Sequence, residues 1–412
     1  MKIAMMVRGY IPAPRPVDMV YAPIDLAVAI AKGLGARGHT VDFFAPLGSE
    51  IHAPKLTVET LNLRPLVHNQ KETTELFHNA DLLTHYVPNL WDRYMANEMF
   101  ARANHGQYDL LYFHHPEVAL PSAQAYPRIP IVYTLNDPIY PWYKELFELY
   151  DSPNQHYVSI SENQRRDAPD LPYAATVYNG IDVDEFTYCD NAEDYLLFAG
   201  RIVPEKGIKE AIQVANETGN RLLIIGPTYP DSQDYFDQYI KPNLSDKILY
   251  LGYVEREHMS KYYQKAKALL TPVQWEEPFG LTTIEAMACG TPVISLRRGA
   301  ASELIVDGKT GFVVQSIAEM VQAVQKLDTI DRNDCREHVK QHFSVETMVD
   351  GYEKVFDQLI RQRSKPLFSL PFKQTKLGKV VPGRLKRNLR SPSQLYLPVE
   401  PDVTLRPPEE TT

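Results

Sequence analysis

The run Trp275-Glu276-Glu277-Pro278-Phe279-Gly280-Leu281-Thr282-Thr283-Ile284-Glu285-Ala286-Met287-Ala288-Cys289-Gly290-Thr291-Pro292-Val293-Ile294 decides how this sequence folds. A Pro/Gly loop carrying one carboxylate, Glu277, feeds a short helical segment carrying a second, Glu285. A Gly-Thr-Pro break closes the segment, and the apolar strand Val293-Ile294-Ser295-Leu296 follows. A helix fed by such a loop presents free backbone N–H groups and the positive end of its dipole, which suits a phosphate. Carboxylates on either side of that phosphate can accept hydrogen bonds from sugar hydroxyls. Diphosphate between two sugars is the shape of a nucleotide sugar. Seven residues between two glutamates mean little alone, because most glutamates sit on solvated faces. The loop–helix–Gly–strand context gives the spacing its weight.

Outward from this run, apolar stretches alternate with amphipathic ones, the pattern of βα units and a parallel sheet. In the first half, Ile3–Val7, Val41–Phe44, Leu110–Phe113, Ile131–Thr134 and Tyr157–Ile160 read as strands. A helix spans about Pro23 to Arg37, with Gly38 as its stop. In the second half the strands are Tyr195–Ala199, Arg221–Ile225, Ile248–Leu251, Ala268–Leu270, Val293–Ser295 and Gly311–Val314. Helical stretches such as Gly207–Thr218 and Arg256–Lys265 lie between them. The expectation is an α/β protein of two doubly wound, Rossmann-like domains, with a boundary near Tyr173–Phe186. Ligands of such sheets sit beyond the carboxyl ends of the strands, so two facing sheets place the site in the cleft between them. The segment Val345–Arg361 carries Met348, Tyr352, Val355, Phe356 and Leu359 at helical spacing, which reads as a packing helix.

A chain of 412 residues is long enough for two such domains. No apolar run approaches the length needed to span a bilayer, and Met1-Lys2-Ile3-Ala4-Met5-Met6-Val7-Arg8 reads as a first strand, not a signal peptide. Three widely spaced cysteines (Cys189, Cys289, Cys335) indicate neither a disulfide framework nor a metal cluster, and a reducing cytoplasm is the expected setting. A net charge of −9 argues against nucleic acid as a partner. Residues 364–412 differ in kind: nine basic and four acidic residues give them +5 and leave residues 1–363 at −14. This basic, then Pro-rich tail has few means of building a core and is expected to be disordered or loosely docked. Two uses stay open for it: Phe368, Leu370 and Phe372 among cations suit an anionic membrane surface, and the same charge suits an arm lying on the acidic body of this or another subunit.

Five motifs in order resemble those of retaining glycosyltransferases of the GT-B fold, specifically glycosyltransferase family 4. Glu277 and Glu285 resemble that family's E-x7-E signature. Asn179-Gly180-Ile181-Asp182 with Phe186 resembles its linker entry, with Tyr178 where Pro is usual. Gly200-Arg201-Ile202-Val203-Pro204-Glu205-Lys206-Gly207 resembles its phosphate-binding turn, Leu251-Gly252-Tyr253-Val254 its nucleobase loop, and Glu303 to Phe312 its E-…-D-G-…-G-F connection. The resemblance covers roughly residues 1–363 and implies four parts: an acceptor-side domain over 1–176, a nucleotide-sugar domain over 177–344, a helix over 345–363 returning to the first domain, and the tail over 364–412.

The resemblance implies transfer of a sugar from a nucleotide-diphosphate donor, UDP or GDP, to a sugar, lipid-linked or small-molecule acceptor. Retention at the anomeric carbon is part of what it implies. Arg201 and Lys206, in the Gly200…Gly207 turn, would stabilise the leaving diphosphate, and no carboxylate cluster suggests a metal, so the expected chemistry uses neither metal nor cofactor. Glu277 would contact donor-sugar hydroxyls or the reacting carbon, Glu285 the ribose, and the N–H groups of Gly280, Leu281 and Thr282 the phosphates. Tyr253 and Val254 would meet the base through their backbone. His114, in Tyr112-Phe113-His114-His115-Pro116-Glu117, matches a family histidine at the donor sugar. Asn136 and Asp137 stand where many members have His, and Asp137 is a candidate for orienting the acceptor. The first loop departs from the family's Gly-rich form: Arg8 to Met19 has one glycine, three prolines and two arginines, and Arg8 or Arg15 could bind an anion or serve structure. Two rival readings share these residues: a catalytically idle scaffold or binding subunit, and a phosphorylase or epimerase on the same fold. Fold likeness alone does not decide among them.

Overall fold

The computed structural model describes residues 1–78 and 82–363. The tail over 364–412 lies outside the described residues.

Each half is built around strands that are buried on both faces and therefore read as continuous apolar runs. The first sheet is parallel throughout and contains β1 (Lys2–Met6), β2 (Thr40–Phe44), β3 (Leu56–Glu59), β4 (Leu110–Phe113), β5 (Ile131–Leu135), β6 (Gln155–Ser159) and β7 (Tyr173–Thr176), in the spatial order 3-2-1-4-5-6-7. The second, also parallel, contains β8 (Tyr195–Ala199), β9 (Arg221–Ile225), β10 (Ile248–Tyr250), β11 (Ala268–Thr271), β12 (Val293–Leu296) and β13 (Gly311–Val314), in the order 10-9-8-11-12-13. Both follow the doubly wound order, in which the chain reverses direction between the first strand and the fourth. The switch point of the first sheet lies between β1 and β4, paired as Met6 with Phe113. That of the second lies between β8 and β11, paired as Leu197 with Leu269. The fold is GT-B.

Two strands depart from the sequence reading. β3 was not anticipated, and Tyr173–Thr176, expected at the domain boundary, is the seventh strand of the first sheet. Both are edge strands whose residues are mostly only half-buried, so neither carries the apolar run that marks an interior strand.

The helix Val345–Arg363 lies against the first half of the chain. Its Val349 meets Gly33 of the helix Ala22–Ala36 so closely that a Cβ on Gly33 would come within 2.6 Å of Cγ2. Tyr352 and Phe356 sit at ring distances of 5.2 Å from Tyr112 of β4. The Tyr352 hydroxyl also hydrogen-bonds Thr134 Oγ1 of β5 at 2.7 Å. These buried contacts join the last helix to the core of the first sheet. Among the described residues, no helix is long and apolar enough to cross a membrane.

Candidate active site

At the first switch point, β4 runs directly into His114 and His115, whose side chains are both buried but serve different ends. His115 joins a cluster beneath the first loop. The Arg8 guanidinium lies 3.1 Å from His115 Nδ1, 2.9 Å from Asp92 and 2.7 Å from Glu117, and Tyr21 Oη hydrogen-bonds His115 Nε2. Asp92 also accepts from the Gly9 N–H at 2.6 Å. Arg15 is held by Asp25 at 2.9 Å and by the carbonyls of Pro16 and Met19. Both arginines of the stiff loop are thus committed to protein partners.

His114 is different. Its backbone is fixed on both sides: the N–H donates to Met6 at 3.2 Å and the carbonyl accepts from Asn136 Nδ2 at 2.9 Å. Its ring is 1% exposed, yet neither ring nitrogen has a hydrogen-bond partner in the structure. Burial, with a smaller push from His115, lowers its pKa to about 3. The imidazole is therefore neutral at physiological pH, with one nitrogen able to donate and the other to accept. Buried polar groups left unpaired are costly and uncommon. His114 lines a groove together with Asn136, Asp137 and Tyr143.

At the second switch point, β8 leads into the turn Gly200–Gly207. Gly207 adopts φ +76°, and a Cβ there would come within 1.9 Å of the Pro272 carbonyl, so the turn closes tightly only on glycine. The turn points Lys206 at the loop before the helix Leu281–Ala288. Lys206 Nζ lies 2.5 Å from Glu277 Oε2, which also accepts from Trp275 Nε1 at 2.7 Å. Gly280 precedes the helix with φ +107°, and the first N–H groups beyond it have no partner within the helix. Lys206, Glu277, Gly280, Thr282 and Thr283 line one cavity. Arg298, just past β12, lines it too, and the sequence reading did not single it out. Its signal was its place after the carboxyl end of a strand, since no motif marked it. Arg201 is exposed at the start of the same turn.

One turn into the helix, Glu285 accepts from the Tyr263 hydroxyl at 3.0 Å. Burial pushes its pKa up, against the opposing pull of Arg256 and Tyr263. The Tyr253 hydroxyl donates across to the Val17 carbonyl of the first loop at 2.9 Å, with Val254 beside it in the chain. Further contacts join the two halves: Ser161 Oγ donates to Pro278 O at 2.7 Å, and the N–H groups of Glu162 and Asn163 donate to Glu303 at 2.7 and 2.8 Å. Among the described residues, Glu255, Glu257 and His258 form a group spaced to hold a cation, but they do not line the Lys206–Glu277 cavity.

Residues 26–185 match the family model described as Glycosyltransferase Family 4, and residues 187–342 match the one described as Glycosyl transferases group 1. An uncharacterized glycosyltransferase of Methanocaldococcus jannaschii is 27% identical over 197 residues, covering 45% of this chain and 54% of the relative. A D-inositol 3-phosphate glycosyltransferase of Mycobacteroides abscessus is 31% identical over 154 residues, covering 34% of each chain. The chain spans about half or less of the length of the curated relatives it matches. Among solved structures, sucrose-phosphate synthase from Thermosynechococcus elongatus superposes with a TM-score of 0.65 at 19% identity, covering 88% of this chain and 99% of that one. Anabaena HepE in complex with UDP superposes at 0.61 and 17% identity, covering 87% and 100%. At such identities these likenesses speak to the fold.

Proposed function

This chain belongs to glycosyltransferase family 4, and we propose that it moves a sugar from a nucleotide-diphosphate sugar to an acceptor hydroxyl with retention. The observation that carries the reading is the Lys206 ammonium, paired to Glu277 in the same cavity as the start of the helix Leu281–Ala288. A cation and free N–H groups in one cavity suit a diphosphate. UDP is the first nucleotide to test, because HepE, of the same fold, has been solved with UDP and with UDP-glucose.

In this reading the N–H groups of Gly280, Leu281 and Thr282 hold the diphosphate, Glu285 the ribose, and the backbone at Tyr253 and Val254 the base. Neutral His114 exchanges hydrogen bonds with donor-sugar hydroxyls, and Glu277 faces the same sugar. The donor's anomeric C–O bond breaks, and the acceptor oxygen forms the new bond on the same face. The acceptor's proton passes to a departing phosphate oxygen. Arg201 and Lys206 stabilise charge growing on the diphosphate, so the protein contributes position and field more than covalent chemistry.

Thermal unfolding of the purified chain with UDP, UDP-glucose, GDP and ADP tests the donor assignment. A ligand that binds only the folded state raises the midpoint with its affinity. A shift by one nucleotide family that is reduced in Glu285→Ala at the same ligand concentration is expected. No shift with any of them would overturn the assignment and favour the idle-scaffold reading.

A further inference from the structure

Beyond the donor cavity, a second groove opens beside His114. Pro138 and Ile139 line both it and the His114 groove, so the two are neighbours. Its far wall is Trp275 and Glu276, the residues just before Glu277. A run of stacked rings climbs out of the core to its rim. Buried Phe147 lies 5.5 Å from Tyr143, Tyr143 stacks on Trp142 at 3.9 Å, and Trp142 lies nearly parallel to Tyr140 at 6.0 Å. Tyr140 and Trp142 remain 46% and 58% exposed. Two adjacent, exposed aromatics held in fixed orientation by stacked neighbours make a contact surface, unlike an isolated surface Leu.

The charge around this groove selects among acceptors. Glu145, Glu148, Asp167 and Glu276 line it against the single cation Lys144. Arg166 reaches Glu276 at 3.5 Å from outside the lining. Such a field repels a phosphorylated acceptor. Carboxylates accept hydrogen bonds from neutral hydroxyls, and the negative face of an aromatic ring attracts the C–H groups on the apolar face of a pyranose.

We propose that the groove between Tyr140 and Trp275–Glu276 is the acceptor subsite and that it takes an uncharged carbohydrate, stacked on the Tyr140 ring, which Trp142 holds in place. The inference rests on the glycosyl-transfer reading of the cleft. The test is a glycan microarray probed with the labelled full chain in the presence of UDP, run beside the UDP thermal shift. Wild type is expected to bind neutral glycans. Tyr140→Ala should weaken that binding roughly tenfold, the worth of one aromatic contact, while Tyr140→Phe retains most of it. All three should keep the same UDP shift. Glu145→Lys combined with Glu148→Lys, both at exposed positions, should move binding toward phosphorylated or sulfated glycans, and this pair decides if Tyr140→Ala melts early. The proposal is overturned if wild type binds no neutral glycan, prefers anionic ones, or binds equally after Tyr140→Ala. Tyr140-dependent glycan binding without any UDP shift would instead sink the nucleotide-sugar reading and leave the carbohydrate groove standing.

Discussion

Lys206 Nζ and Trp275 Nε1 converge on the same oxygen of Glu277, at 2.5 and 2.7 Å. Two donors from separate loops fix that carboxylate in one rotamer and leave its other oxygen available to a ligand. The pair thus joins the Gly200–Gly207 turn to the loop before the helix Leu281–Ala288, and its two members should respond differently to substitution.

Lys206→Ala removes a cation from the proposed diphosphate site and is expected to lower kcat by roughly 10²–10³, the cost typical of one lost charge-stabilising donor, and to weaken UDP binding. Glu277→Gln keeps the shape and loses the charge. It should lower kcat while leaving UDP affinity near wild type, because Glu277 is assigned to the sugar. Initial rates paired with calorimetric UDP titration separate the two; equal loss of UDP affinity in both variants would reject the division of roles.

Among the described residues the Glu285 carboxylate accepts one hydrogen bond, from Tyr263, and is expected to spend its remaining acceptor capacity on the ribose. Glu285→Ala should raise the Kd for UDP about tenfold, in line with loss of a hydrogen bond to a charged group. Tyr263→Phe should have a smaller effect on binding, since it only loosens the carboxylate. Full activity of Glu285→Ala at low donor concentration would remove the ribose assignment.

Gly207 offers a test of the turn that carries Lys206. Gly207→Ala places a side chain at positive φ and against the Pro272 carbonyl. The backbone strain alone costs about 1–2 kcal/mol, and the collision must move the turn. A urea midpoint clearly below wild type, with a matching drop in UDP affinity, is expected. Unchanged stability would mean that the turn is not held as tightly as its geometry implies.

The interior strands were legible because burial on both faces writes itself as an apolar run. Leu110–Phe113, Tyr195–Ala199, Arg221–Ile225 and Gly311–Val314 fall where the sequence put them. The edge strands Leu56–Glu59 and Tyr173–Thr176 carry no such mark, since half their surface faces solvent or a loop. Local motifs likewise exposed Lys206, Glu277 and Glu285 as candidates. Pairings across long separations left no local trace. That Arg8 is bound to Asp92 and Glu117 depends on side chains 84 and 109 residues away. The same network separates His115, which it engages, from His114, which it leaves free, although the two are adjacent in sequence.

That separation predicts a pH response. Burial holds the His114 pKa near 3, against an ordinary 6.5 in the unfolded chain. Above pH 6.5 both states keep the ring neutral and it contributes no pH dependence. As pH falls below 6.5, the unfolded chain binds a proton that the folded state refuses, so stability is lost, at up to about 1.4 kcal/mol per pH unit. Glu117 acts in the same direction at lower pH: burial pushes its carboxyl up, but His115 and Arg8 outweigh that and hold it well below the usual range. Its stabilising contribution is therefore full above the ordinary carboxylate range and is lost progressively as pH falls below it, because the unfolded chain takes up that proton first. Replacing His114 with Asn removes the titrating ring and keeps a polar group, so His114→Asn should lose less stability than wild type between pH 7 and 5 in urea titrations. Catalysis should show the complementary behaviour: a ring already neutral throughout pH 5–9 contributes no ionisation to kcat/KM. An acidic limb near pH 6.5 that vanished in His114→Asn would show that the ring titrates normally and would overturn its role as a neutral hydrogen-bonding group.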